Sequence, residues 1–101
     1  MTGLNTQTLE LIKSCFEQYP GIVWVKIYGS RAKGDYKRGS DIDLAFSSPV
    51  NDAAKLLGAL DNLPLPYLFD VTHYESLQNQ ALKEHIDRVG ILVYQQHGLP
   101  A

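Results

Sequence analysis

In the stretch Gly29-Ser-Arg-Ala-Lys-Gly-Asp-Tyr-Lys-Arg-Gly-Ser-Asp41-Ile-Asp43-Leu44, a polar segment runs into an alternating one. Just before it, Ile22-Val23-Trp24-Val25-Lys26-Ile27-Tyr28 is rich in β-branched and aromatic residues and reads as a strand covered on both faces. Gly29 to Ser40 holds three glycines and reads as a loop with a short helical turn after Ser30. From Asp41 to Phe46 the pattern has a period of two. Ile42, Leu44 and Phe46 face one way, and Asp41, Asp43 and Ala45 the other.

Asp41 and Asp43 therefore share a face, with Cα atoms about 6.5–7 Å apart at a rise of about 3.3 Å per residue. Like charges that close repel unless a cation lies between them. Two Mg²⁺ ions about 3.5–4 Å apart fit such a span, as in in-line phosphoryl displacement. An isolated Asp-x-Asp more often reads as two wet-side aspartates. Aspartate is a poor strand former, however, so two within one short strand need a reason. Gly29-Ser30 supplies a close backbone approach and a hydroxyl donor for a phosphate. Arg31, Lys33, Lys37 and Arg38 lie in the same segment, four of the nine Lys and Arg of the chain. That concentration suits a triphosphate, although each basic residue alone reads more readily as a solvated loop charge.

Outward from this centre, residues 6–18 read as a helix. Leu9, Ile12, Phe16 and Tyr19 form its stripe, Thr6 its N-cap and Pro20-Gly21 its stop. A second helix runs from Asn51 or Asp52 to Leu60, with Ala53, Leu56, Leu57 and Leu60 inward. Pro64 and Pro66 precede a strand over 67–71. A helix over 75–88 carries Leu82, Ile86 and Val89, Gly90 ends it, and residues 91–94 make a last strand. The tail from Gln95 to Ala101 is expected to fray. The order α-β-β-α-β-α-β gives an α/β (α+β) sandwich, with helices packed on a mixed four-stranded sheet. Asp70 falls at the end of the third strand. With Phe69 and Val71 facing the core, it faces the side of Asp41 and Asp43, where a third carboxylate could bind one metal and take a proton. Without the other two it reads as readily as a strand-end aspartate starting a turn before Thr72-His73.

Composition bounds the rest. The chain has 101 residues, 45% hydrophobic and 20% charged, which predicts one domain over 1–101. A formal net charge of -2 argues against direct nucleic-acid binding. Cys15 is the one cysteine and reads as a small core residue. His73, His85 and His97 show no metal-ligand spacing, and His85 reads as a packed histidine. No basic-then-apolar leader opens the sequence, and no apolar run approaches the roughly 20 residues that span a membrane. The cytoplasm is the expected compartment.

The run from Gly29 to Leu44 resembles the signature of the minimal nucleotidyltransferases in the DNA polymerase beta superfamily: Gly-Ser, ten residues, then Asp-x-Asp. Ala32, Gly34 and Ser40 fall where that family has small residues, and Asp70 and the strand after Gly90 match its layout. The resemblance implies a catalytic and metal-binding set of Asp41, Asp43 and Asp70, and nucleotide contacts from Gly29, Ser30, Arg31 and Ser40. It implies two Mg²⁺ ions, with ATP as the substrate. It also implies AMP transfer to a hydroxyl, as in toxin–antitoxin pairs where the acceptor is a tyrosine of a helical HEPN-type partner. Homo- or hetero-oligomers are compatible with it. The alternatives are an enzyme acting on a small molecule such as an antibiotic, and a non-catalytic nucleotide-binding module.

Overall fold

The computed structural model describes residues 2–34, 37 and 41–96. Its elements are α1 (Thr6–Phe16), β1 (Trp24–Tyr28), α2 (Ser30–Lys33), β2 (Ile42–Ser47), α3 (Ala53–Asp61), β3 (Phe69–His73), a 3-10 turn (Tyr74–Ser76), α4 (Gln80–Val89) and β4 (Ile91–Gln95). The strands form one mixed sheet in the order β3-β2-β1-β4. β1 pairs antiparallel with β2 and β4, and β2 pairs parallel with β3 through the α3 crossover.

Period-two alternation sorts the side chains onto two faces. Val25, Ile27, Ile42, Leu44, Phe46 and Phe69 pack with Ile12 and Phe16 of α1 and Leu56 and Leu60 of α3 in the main core. Each fully buried Leu, Ile or Phe of this kind stabilises the fold by about 1.5–3 kcal/mol. Cys15 belongs to the same core, and burial pushes its thiol pKa up. On the opposite face Tyr28 and Ala45 meet Ile86 of α4, with Trp24, Tyr74 and Leu82 around them. α4 covers only part of this second face, and the aspartates lie on the same side.

The first helix ends at Phe16 and the first strand begins at Trp24, each two residues inside the sequence-based expectation, and three further differences have identifiable partners. Asn5, not Thr6, caps α1, because its side chain reaches the Thr8 amide at 2.8 Å. The helix expected over 75–88 is broken. Glu75 turns its carboxylate back to Ser47 and Ser48, leaving a 3-10 turn, and the helix restarts where Asn79 accepts from the Leu82 amide at 3.1 Å. The third strand lies two residues later than expected, because Tyr67 remains outside it, half-buried beneath the Arg31 guanidinium. Asp70 is thus the second residue of β3 and does not begin a turn.

Candidate active site

The sheet register builds the site. Tyr28 lies opposite Asp43 across the β1–β2 ladder, and Asp43 lies opposite Asp70 across the β2–β3 ladder. The three residues form one row on the face that carries α4. Neighbouring strands lie about 4.8 Å apart, so the Asp43 and Asp70 carboxylates project side by side. Asp41 precedes β2 by one residue and falls on the same face, exposed. Asp70 is exposed and Asp43 half-buried. Burial raises the Asp43 pKa above the ordinary carboxylate value, and the charges of Asp70 and then Asp41 raise it further. The Tyr28 hydroxyl is hydrogen-bonded to Thr72 Oγ1 at 3.1 Å, and its pKa is also raised, first by burial and then by Asp70 and Asp43 against the lowering effect of Thr72.

The glycine–serine turn follows at the end of β1. Gly29 adopts φ 73° and ψ -149°, a backbone region essentially reserved for glycine. A Cβ placed there would lie 2.5 Å from Asp43 Oδ2, so the turn and the carboxylate are in contact. Ser30 opens α2 and is half-buried. The Gly29 amide, which the sequence reading offered to an anion, instead donates to His85 Nε2 of α4 at 3.2 Å.

Arg31 is the buried residue of α2. It is only 3% exposed, its Nη1 donates to the Thr2 carbonyl at 3.0 Å, and its guanidinium lies 5.0 Å from the centroid of the Tyr67 ring. In this conformation it offers little surface to a triphosphate. Lys33 and Lys37 are exposed, whereas Arg38, Ser40 and His97 lie outside the described residues. His73 sits away from the aspartate row, its ring nitrogens bonded to Ser76 Oγ and the Ser48 carbonyl at 2.6 and 2.7 Å.

The donor set suits magnesium, which takes few carboxylates and completes its shell with water and substrate phosphates. Like-charged carboxylates on one row, one with a raised pKa, are stabilised by such a cation. Among the described residues no group of three His, Cys, Asp or Glu converges closely enough to hold a metal ion alone. Phosphate oxygens would therefore have to supply part of the shell.

Comparison with known proteins agrees with this architecture. The family model described as Polymerase beta, Nucleotidyltransferase matches residues 10–98. This chain belongs to that nucleotidyltransferase family. No curated protein matches it. A solved structure described as a minimal nucleotidyltransferase is 26% identical, with a TM-score of 0.67, covering 90% of this chain and 98% of its own. A chain of a toxin–antitoxin complex with AMP-PNP is 22% identical, with a TM-score of 0.64, covering 93% and 76%. A chain from tri-AMPylated Shewanella oneidensis HEPN toxin in complex with MNT antitoxin is 18% identical, with a TM-score of 0.63, covering 92% and 74%. The last two likenesses establish the fold. Among the described residues no helix is long and apolar enough to cross a membrane.

Proposed function

We propose that this chain is an antitoxin that transfers AMP from ATP to a tyrosine hydroxyl of a HEPN-type toxin in the cytoplasm. The observation that carries the reading is the row of Asp43 and Asp70, with Asp41 on the same face, against the Gly29-Ser30 turn. The toxin–antitoxin complexes among its structural neighbours, one with AMP-PNP and one with a tri-AMPylated HEPN toxin, support the nucleotide and the partner class.

Two Mg²⁺ ions, each held by part of the set Asp41, Asp43 and Asp70 together with phosphate oxygens, would neutralise charge on the triphosphate. The chain's own groups do the rest. The Ser30 hydroxyl, in this reading, donates to a phosphate oxygen. Asp70, exposed beside Asp43, takes the proton of the attacking tyrosine. The tyrosine oxygen bonds to the α-phosphorus, the bond from that phosphorus to the bridging oxygen breaks, and pyrophosphate leaves. The aspartate row lies on the face that α4 covers in part, so the acceptor can be presented by another chain.

Co-expression with a HEPN-type partner tests the proposal. Mass spectrometry should find AMP on a partner tyrosine, and Asp41→Asn should remove it. An unmodified partner, alongside efficient adenylylation of a small molecule such as an antibiotic, would overturn the protein-acceptor reading.

A further inference from the structure

His85 is half-buried on α4, 56 residues from the glycine whose amide it receives. The direction of that bond fixes the ring's state. An N–H donates to Nε2 only if Nε2 carries a lone pair, so the proton of the neutral imidazole sits on Nδ1. The ring is also held edge-on to Tyr28, with centroids 6.1 Å apart and planes at 80°. Its neighbour Ile86 is fully buried against the sheet and anchors the helix there.

The bond falls where the chain leaves β1. It fixes the peptide plane between Tyr28 and Gly29, the point at which the backbone enters its glycine-only conformation and lies against Asp43. Without an acceptor, a partly buried amide would lose its partner, and the turn would be free to re-aim. We infer that His85 is a positioning residue for nucleotidyl transfer: its acceptor nitrogen holds the Gly29-Ser30 turn in register with the Asp43 carboxylate. The inference rests on the transfer reading of the site for its consequence, though not for its geometry.

Two full-length variants test it. His85→Phe keeps a planar ring and removes the acceptor, whereas His85→Gln supplies an amide oxygen at similar reach. Nitrogen NMR of the metal-free wild type should show His85 with Nε2 unprotonated, and the Gly29 amide resonance should move in His85→Phe. In the transfer assay kcat should fall by on the order of tenfold to a hundredfold in His85→Phe. KM for ATP should change less, and His85→Gln should recover most of the rate. A protonated Nε2, an unmoved Gly29 amide, a wild-type rate in His85→Phe, or equal losses in both variants would each overturn the role. If the wild type transfers no AMP, the transfer reading fails by itself, and the two NMR observations still decide whether His85 holds the turn.

Discussion

The Asp43 carboxylate occupies the space that a side chain on Gly29 would need, since a Cβ there would meet Oδ2 at 2.5 Å. Gly29→Ala therefore carries two costs. The backbone at φ 73° and ψ -149° becomes strained, by about 1–3 kcal/mol. The carboxylate must also swing away from the turn. We expect a lower melting temperature together with a loss of transfer greater than instability explains, read as the specific activity of the folded fraction. A variant with wild-type activity would show that the contact is incidental to the site.

Asp43 should also leave a mark on the pH dependence of stability. Its folded carboxyl binds a proton more tightly than the unfolded one, whose ordinary pKa is 3.8. The unfolded chain therefore loses its proton first as pH rises. Between 3.8 and the raised folded value, the metal-free protein loses stability with increasing pH. Asp43→Asn removes this loss, so thermal melts should show the variant gaining on the wild type through that window. Mg²⁺ should raise the wild-type melting temperature at neutral pH and do little for the variant. Equal magnesium responses would remove Asp43 from the metal site.

Glu75 behaves in the opposite sense. Burial alone would raise its pKa, but the Ser47 hydroxyl, the amides of Ser48 and Glu75 itself, and nearby His73 hold it below its ordinary 4.5. The folded state then binds this proton more weakly. The stabilisation is fully present above 4.5 and is lost as pH falls through the lowered folded value. With 45% of the side chain exposed, Glu75→Ala should cost only about 1 kcal/mol at neutral pH. Denaturant melts of the two proteins should converge in acid. A constant gap across pH would mean that packing, not charge, carries the effect.

Much of this fold was legible because its signals are local. The alternation from Asp41 to Phe46 places two aspartates on one face, and the structure keeps them there. Leu56 and Leu60 at helical spacing turn inward as their periodicity demands. The features that escaped are those decided by distant partners. Nothing near Glu75 announces that its carboxylate will reach Ser47, 28 residues earlier, and interrupt a helix. The partnership of His85 with Gly29 spans 56 positions, and no periodic rule encodes it. A basic residue beside Gly-Ser reads locally as a phosphate ligand, whereas the packing of Arg31 against Thr2 and Tyr67 joins positions that the local pattern does not connect.

Arg31 is accordingly where stability and nucleotide binding can be separated. Its guanidinium is 3% exposed, donates to the Thr2 carbonyl and lies over the Tyr67 ring. A hydrogen bond from a charged group contributes about 1.5–3 kcal/mol, and a desolvated cation–aromatic contact adds to it. Arg31→Ala should therefore lower stability by about 2–3 kcal/mol. For a domain of this size, each kcal/mol corresponds to about 4–8 °C in melting temperature. Arg31→Lys should recover little, because an ammonium cannot reproduce a planar fork lying over a ring. Tyr67→Leu should reproduce part of the loss. Calorimetry with Mg²⁺-ATP, well below the melting temperature, separates the two roles. If Arg31 serves the fold, the folded Arg31→Ala protein binds ATP nearly as the wild type does, whereas Ser30→Ala binds it more weakly. If Arg31→Ala loses ATP affinity while melting at the wild-type temperature, the side chain leaves its buried position to meet the phosphates, and its contact with Tyr67 belongs only to the nucleotide-free state.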